Sequence, residues 1–352
     1  MKSRPPSGSK LHQFKRQQGV AIITAVLLTA LALTIVGNLF WQQNVQLRMV
    51  ENQQLKQKTR WILIGALDFA RLLLNEDLKR TQTDDLTEPW ATPLAETRLD
   101  SYLERNEDAT DAGNASFSGK ISDASALYNL ENLATNRIIN KYEVAVLKKL
   151  LINVRLNPSF ADAVALAVAS SQKPPVVVPN NPNNPPPPPT PGQVTGAPPP
   201  GGGTEGPPVP ETPGKEPSPV SRLEDLLAVT GFTPAMVETL KKYVTVLPRQ
   251  NGALSTVNIN TTSAEVLSAR IDTLSLSQAK SIILARERTP YRNIAFFWTN
   301  NNITADPKYL VDIRSDFFIA TSTAKVDHAT LESTALIHRT QAGTRILWIR
   351  EI

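Results

Sequence analysis

The stretch KRQQG at residues 15–19, followed directly by VAIITAVLLTALALTIVGNLFW at residues 20–41, decides the organisation of this chain. The second part contains 22 residues without a charged side chain. A helix rises about 1.5 Å per residue, so this run is long enough to cross a hydrocarbon core of about 30 Å. We therefore expect a transmembrane helix at residues 20–42.

Positive charge is concentrated before the apolar run. No acid precedes Val20, and the next charge after the run is Arg48. By the positive-inside rule, this asymmetry leaves the amino end in the cytoplasm and puts the rest of the chain across the membrane. The basic residues are Lys2, Arg4, Lys10, Lys15 and Arg16.

Composition excludes several classes of site. Five of the 37 basic residues precede residue 20 and all 32 acids follow it, so the remainder of the chain is neutral and does not indicate a nucleic-acid surface. The absence of cysteine excludes disulfides, thiolate metal sites and a cysteine nucleophile. No G-x-S-x-G, H-E-x-x-H or P-loop spacing occurs, and the sequence does not predict an enzyme.

The amino-terminal helix is expected to continue to about residue 78. Leu55, Ile62, Ala66, Phe69 and Leu73 recur at helical spacing. They form one apolar stripe, which needs a surface to cover it.

Runs rich in β-branched and aromatic residues can supply that surface. They lie at residues 316–324, 330–338 and 344–350, with a further run at 116–122. These patterns predict a small antiparallel sheet with the long helix on it, which is an α+β fold.

Residues 136–314 have helical patterns and read as an inserted all-α domain. A stretch at residues 174–219 holds 19 of the 28 prolines and predicts an extended, mobile linker within it. Helix starts are expected at Thr233, Thr262 and Ser275, which precede four or five short helices between residues 221 and 302.

The leader boundary resembles a type IV prepilin signal, which prepilin peptidase cuts after a glycine. The resemblance implies that Gly19 ends the leader and that Val20 begins the mature chain. Pilins and pseudopilins usually carry glutamate five residues into the mature chain, where this sequence has Thr24. Loss of that glutamate is typical of the type II secretion minor pseudopilin K family.

Further stretches resemble the same family, which has a large helical domain inserted into a pilin-like fold. The matching residues are 84–91 (DDLTEPWA), 127–133 (LYNLENL), 258–267 (NINTTSAEVL) and 347–348 (LW). The resemblance implies the following division: leader 1–19, transmembrane helix 20–42, periplasmic helix 43–78, first part of the pseudopilin fold 79–135, inserted helical domain 136–314 with its linker 174–219, and carboxy-terminal strands 315–352.

By resemblance, the chain is expected to be a single-pass inner-membrane protein whose carboxy-terminal part is periplasmic. It would lie at the tip of the pseudopilus, initiate or cap assembly, and support export of folded periplasmic proteins across the outer membrane. The implied partners are the minor pseudopilins I and J in a heterotrimer, prepilin peptidase, the inner-membrane assembly platform, and secreted substrates or the outer-membrane secretin. Ile62, Phe69 and Leu73 are the expected partner interface.

Two further hypotheses concern ligands. The acidic segment containing Asp77, Asp84, Asp85 and Glu88 could bind calcium, which prefers several oxygen ligands, or could be a solvated loop. Residues 258–294 resemble a helix-hairpin-helix module, which in other proteins grips DNA phosphates. The hairpin here has no glycine, so a protein-contact role is favoured and no nucleic acid is expected; the alternative is a minor pilin of a type IV pilus or DNA-uptake system.

We predict that the mature chain starts at Val20, because Gly19 directly precedes the apolar run. Intact-mass analysis of membrane-purified protein should show loss of the first 19 residues with the anchor retained. Protein that still begins at Met1 in cells with active prepilin peptidase would contradict the prepilin interpretation.

Overall fold

The structure is a computed structural model that describes residues 18–99, 115–173, 209, 220–250 and 252–351. The chain divides into two compact units, Met1–Lys58 and Thr59–Ile352. The leader up to residue 17 and the expected linker, apart from Val209, lie outside the described residues.

The α-helices are α1 (Gln18–Arg80), α2 (Lys141–Asn153), α3 (Phe160–Ser171), α4 (Pro234–Leu240), α5 (Ala264–Arg270), α6 (Leu276–Arg288) and α7 (Ile294–Asn300). The strands are β1 (Leu94–Arg98), β2 (Ala115–Asp123), β3 (Tyr128–Asn129), β4 (Ala134–Thr135), β5 (Ile138–Ile139), β6 (Val244–Thr245), β7 (Val257–Asn258), β8 (Val311–Asp312), β9 (Phe317–Val326), β10 (Ala329–Thr340) and β11 (Gly343–Glu351).

Within the first unit, α1 carries the apolar run. Its most apolar 18-residue window has a mean hydropathy of 2.6, and that window is unburied. Among the described residues, one helix is long enough and apolar enough to cross a membrane, and that helix is α1. The helix ends at Arg80, two residues beyond the expected end, with Lys79 and Arg80 in the last turn where positive charge is favourable.

The second unit contains a five-stranded antiparallel sheet in the order β1-β2-β9-β10-β11. Four of these strands were expected from the sequence. β2, β10 and β11 extend one or two residues beyond the expected run at each end, whereas β9 begins one residue later and ends two residues later. The fifth strand, β1, was missed because its sequence LAETR is short and mostly exposed.

The sheet covers the second half of α1. Leu63, Leu67, Ala70 and Leu74 are buried and pack in one core with residues of β9 and β10. Leu67, Ala70 and Leu74 follow the helical spacing that brings side chains onto one face. The buried stripe is therefore rotated by about one residue from the stripe expected at positions 62, 66, 69 and 73.

The helical part of this unit has two apolar cores. One joins α2, α3 and α4 to the 3-10 helix Leu223–Ala228. The other joins α5, α6 and α7. The first core begins at Tyr128, ahead of the expected domain start at residue 136.

Two of the three expected helix starts are confirmed. The Thr233 hydroxyl accepts a hydrogen bond from the Met236 amide, and Ser275 and Gln278 form a reciprocal capping box. The third expectation is wrong by one residue. Ser263 caps α5, because Thr262 is fully buried and donates its hydroxyl to the Ala126 carbonyl.

A buried ion pair joins the two cores. Arg270 of α5 donates to the Glu143 carboxylate of α2 at 2.6 Å, and neither side chain is more than 1% exposed. Glu143 Oε1 and Arg270 Nε and Nη2 have no hydrogen-bond partner within the described chain. The hydrogen bonds of this pair therefore offset only part of the free-energy cost of removing both charges from water.

We predict that replacing one residue of this ion pair lowers the free energy of unfolding more than replacing both residues. Arg270→Met should lower the free energy of unfolding by about 3–5 kcal/mol, because it leaves the Glu143 carboxylate buried and unpaired. The double variant Glu143→Leu, Arg270→Met should recover most of that loss in chemical denaturation. Equal losses in the single and double variants would contradict this account.

Candidate functional site

Three acids from one segment meet at the end of α1. Asp77 lies in the last turn of α1, and Asp84 and Glu88 follow in the loop after it. All three are buried, and one carboxylate oxygen of each lies within 4.8 Å of the others. The structure thus brings together three of the four acids expected to bind calcium.

Arg339 of β10 lies between two of these acids. Its guanidinium donates to Asp77 Oδ2 at 3.0 Å and also contacts Asp84 Oδ1. It donates in addition to the Ser315 carbonyl at 3.0 Å and stacks over the Phe318 ring at 4.6 Å. The side chain is 4% exposed, so this cation is built into the cluster.

The remaining carboxylates are also engaged. Glu88 accepts from the Trp90 indole at 2.7 Å and from the Thr81 hydroxyl at 2.9 Å. Asp85 accepts from both the amide and the hydroxyl of Thr87 and lies outside the three-acid cluster. As packed, Arg339 and neutral donors engage an oxygen of each of these four acids, whereas Asp85 Oδ2 is buried without a hydrogen-bond partner in the described chain. Arg339 is therefore the cation that the structure shows among them, and calcium binding stays a prediction.

Burial, and for Asp77 and Glu88 also neighbouring carboxylates, raises the pKa values of the cluster. Burial raises the pKa of Asp77 to about 6, and the carboxylates of Glu88 and Asp84 add to the rise. Burial also raises the pKa values of Asp84 and Glu88. One guanidinium therefore does not fully offset three carboxylates.

A second buried acid joins the sheet to the helical part. Asp123, at the end of β2, accepts from the Ser315 and Thr261 hydroxyls at 2.5 Å each. The Asn258 amide of β7 donates to the Asp123 carboxylate at 3.2 Å and to the Asp84 carbonyl at 3.0 Å. Burial raises the pKa of Asp123 to about 6.

The turn between α5 and α6 is directed toward α2. Lys149 Nζ donates to the carbonyl oxygens of Ile271, Asp272 and Leu274 at 3.1, 3.0 and 2.8 Å. The Tyr142 hydroxyl donates to the Arg270 carbonyl at 2.9 Å. Side chains of α2 thus satisfy carbonyl groups that a helix end leaves unpaired, and the hairpin serves internal packing.

From the sequence, the basic residues Lys280, Arg286, Arg288 and Arg292 are expected to form a solvated face. The structure buries Arg286 and directs its guanidinium to the carbonyl oxygens of Ile259 and Thr262. For Arg286 this expectation is wrong, because the face of α6 that carries Arg286 packs over the loop that precedes α5.

The three residues of the expected partner face on α1 differ in exposure. Ile62 and Leu73 are partly buried against the chain's own sheet, and of the three expected residues Phe69 is 50% exposed. The exposed apolar residues nearby are Trp61 and Leu72, at 73% and 57%. They lie on the Phe69 face of the helix.

The two residues of the expected cleavage boundary and Thr24 lie in the first turns of α1. The Thr24 hydroxyl donates to the carbonyl oxygens of Val20 and Ala21, each at 3.0 Å. It therefore satisfies its hydroxyl within the helix and presents no charge.

Several residues of the site were missed from the sequence. Arg339 follows Ala335 and Ile337 at the two-residue spacing of one sheet face, and that alternation is the signal that could have identified it as inward-facing. Asp123, Asn258 and Ser315 carry no local signal, since they meet only in the folded chain.

Comparison with known proteins gives a consistent result. Residues 126–249 and 257–312, together about half of the chain, match two family models described as type II secretion system (T2SS), protein K. The chain is 28% identical over 141 residues to type II secretion system protein K of Pseudomonas aeruginosa, covering 38% of this chain and 39% of the relative. It thus spans about two fifths of the curated relative's length.

A solved structure shares the fold. It is the crystal structure of the GspK-GspI-GspJ complex from the enterotoxigenic Escherichia coli type 2 secretion system, with a TM-score of 0.55 and 17% identity. The match covers 86% of this chain and 99% of that chain.

The buried acids predict a pH dependence. Folded Asp123 keeps its proton up to about pH 6, whereas an unfolded aspartate releases it near pH 4. The folded state therefore binds more protons between these values, and stability rises as pH falls. Between pH 7.5 and 5, we expect Asp123 alone to add about 1.4 kcal/mol to the free energy of unfolding.

Asp123→Asn should remove this increment in denaturant unfolding at the two pH values. Asp68→Asn changes an exposed acid and serves as the matched control, which should follow the unsubstituted chain. A pH dependence identical in all three proteins would show that Asp123 does not titrate in this range.

Arg339 predicts a conditional calcium response. Arg339→Gln should destabilise the chain by about 3–5 kcal/mol, because it leaves Asp77 and Asp84 without their cation. Calcium should then raise the melting temperature of this variant, since three close carboxylates become available. A calcium-dependent rise in the unsubstituted chain that Asp77→Asn abolishes would contradict the assignment of Arg339 as the resident cation.

Proposed function

The chain belongs to the type II secretion system protein K family, and we propose that it is the minor pseudopilin at the tip of the type II secretion pseudopilus. There it initiates or caps assembly and supports export of folded periplasmic proteins across the outer membrane. The observation that carries this proposal is the combination of a long apolar helix, a five-stranded sheet on its second half, and a helical part inserted between β2 and β9.

The inserted helical part favours a terminal position. Of the elements that the structure describes, it contributes six of the eleven strands, which form three two-stranded pairs, and six of the seven α-helices. Subunits in a filament pack side by side along their long helices, and so large an addition to every subunit would hinder that packing. One copy at the end of the filament avoids the conflict.

The amino-terminal residues support the same position. A carboxylate in the membrane is costly unless another subunit offers it a partner. A subunit at the tip has no subunit ahead of it, and Thr24 carries no charge. We propose that prepilin peptidase cuts between Gly19 and Val20 and that α1 then anchors the chain in the bacterial inner membrane, with its carboxy-terminal part in the periplasm.

The proposed partners are the minor pseudopilins I and J of the same system. The crystal structure that shares this fold contains proteins named GspI and GspJ, which makes a comparable heterotrimer the natural assembly to test. On α1, Trp61, Phe69 and Leu72 offer a partly open apolar face. Gly65 lies between Trp61 and Phe69. Apart from its chain neighbours and the backbone of its own helix, no atom of the described chain lies within 4 Å of the place a β-carbon would occupy, so a partner helix can approach closely there.

The assembly platform in the inner membrane would bind the anchored chain, and secreted substrates or the secretin would contact the tip.

We assign no catalytic role, in keeping with a family of structural secretion components. Nucleic-acid binding, as in a DNA-uptake pilin, is not favoured because the hairpin between α5 and α6 has no glycine that would let its backbone approach a phosphate closely.

We predict that a charged α1 face prevents assembly. In the variant Trp61→Glu, Leu72→Glu, partner binding would require burial of two unpaired carboxylates. Co-purification of the full-length chain with pseudopilins I and J from detergent-solubilised membranes should fall at least several-fold. The melting temperature should change little, because both side chains are exposed.

Leu284→Glu is the matched control, since Leu284 is a 64% exposed leucine on α6 in the helical part. It should leave recovery of both partners unchanged. Full recovery with the α1 variant, or equal loss with the control, would show that this face is not the interface.

A further inference from the structure

The five-stranded sheet has an edge that is paired over only part of its length. β1 pairs with β2 at Leu94 with Gly119, Thr97 with Phe117 and Arg98 with Ser116. The pairing stops there because β1 begins at Leu94 and is preceded by Pro93, which has no amide hydrogen to donate.

β2 continues past that point without an outer neighbour. Residues 120–123 pair with β9 on the inner side. On the outer side, no strand of the described chain pairs with them. Unpaired backbone groups at a sheet edge can accept a further strand.

A groove occupies the place where that further strand would lie. It encloses about 320 Å³, with Lys120, Ile121, Ser122 and Asp123 of β2 on one side and the loop before β1 on the other. The loop side is mostly apolar and consists of Leu86, Trp90, Ala91 and Pro93. Leu86 is 55% exposed, so part of this apolar wall has no covering residue.

The two faces of β2 differ in chemistry. Ile121 packs against the core beneath α1, and side chains alternate along a strand, so Lys120 and Ser122 point to the opposite face. A strand added at this edge would therefore place apolar side chains beside Ile121 and polar side chains beside Lys120.

β1 shows how this edge recognises a neighbour. Glu96 of β1 accepts from the Ser116 hydroxyl of β2 at 2.7 Å and lies 3.4 Å from Lys325 Nζ of β9. Lys120 lies four residues further along β2 on the same face as Ser116, and its side-chain ammonium has no hydrogen-bond or ion-pair partner in the described chain. Glu96 thus forms an ion pair with Lys325, whereas no acidic side chain of the described chain occupies the corresponding position beside Lys120.

We propose that this groove binds an extended segment of another protein, which adds to β2 as an outer strand. The segment carries alternating apolar residues toward Ile121 and an acidic residue opposite Lys120. This surface is separate from the α1 face assigned to pseudopilin partners, and it does not depend on the identity of those partners.

The test uses the full-length, detergent-solubilised chain and capped octapeptides of alternating valine and threonine. One central threonine is replaced by glutamate, glutamine or lysine, and binding is measured by fluorescence anisotropy. Opposite charges across a strand pair are expected to favour the glutamate peptide over the glutamine peptide by up to about fivefold, with the lysine peptide weakest.

Lys120→Glu should reverse the order of the glutamate and lysine peptides, while Lys280→Glu, an exposed charge reversal on α6, should leave it unchanged. Backbone N-methylation of the glutamate peptide should abolish binding, because it removes the amide donors that a strand needs. Absence of binding, an unchanged order with Lys120→Glu, or full binding of the N-methylated peptide would overturn the proposal.

Discussion

The contact of Arg339 with Asp77 and Asp84 is the interaction on which the rest of the second unit depends. It joins the last turn of α1, the loop that follows, and the end of β10 in one buried ionic cluster. Removing either charge type alone would leave a buried ion without a partner, which is among the costliest changes a fold can undergo. The position of the sheet on the helix is thereby fixed by polar contacts as well as by the apolar core.

The loop that follows α1 and contains Asp84 also contacts the helical part. Asn258 reaches the Asp84 carbonyl and the Asp123 carboxylate, while Ser315 donates to both acids through its amide and hydroxyl. The helical part leaves the sheet after β2 and returns before β9, so both of its connections pass this joint. Such a rigid connection is consistent with a capping role, since a force on the helical part would be transmitted directly to α1.

The sequence predicts those features that depend on local patterns. The apolar run at residues 20–41, four of the five sheet strands and the Ser275 capping box all have short-range signals. The buried face of α1 differs from the expected face because each residue turns a helix by about 100°, so a stripe assigned to positions 62, 66, 69 and 73 faces another direction than the buried positions 63, 67, 70 and 74. Trp61 was therefore overlooked as an exposed residue.

Long-range polar contacts could not be predicted in the same way. Asp84 and Arg339 are 255 positions apart, and the acids 77, 84 and 88 read equally well as a cation site until a guanidinium is found between them. Arg286 illustrates the same limit, because its burial depends on carbonyl groups of another segment. Charge spacing identifies candidate ligands, whereas only tertiary structure identifies the counter-ion.

The central claim is that one copy of this chain ends each filament, and its location on assembled pseudopili tests that claim most directly. Pseudopili could be produced with an epitope inserted in the exposed turn at Gly252, isolated, and examined by immunogold electron microscopy. The account predicts gold at one end of a filament and none along its length. Regularly spaced label along the filament would contradict it.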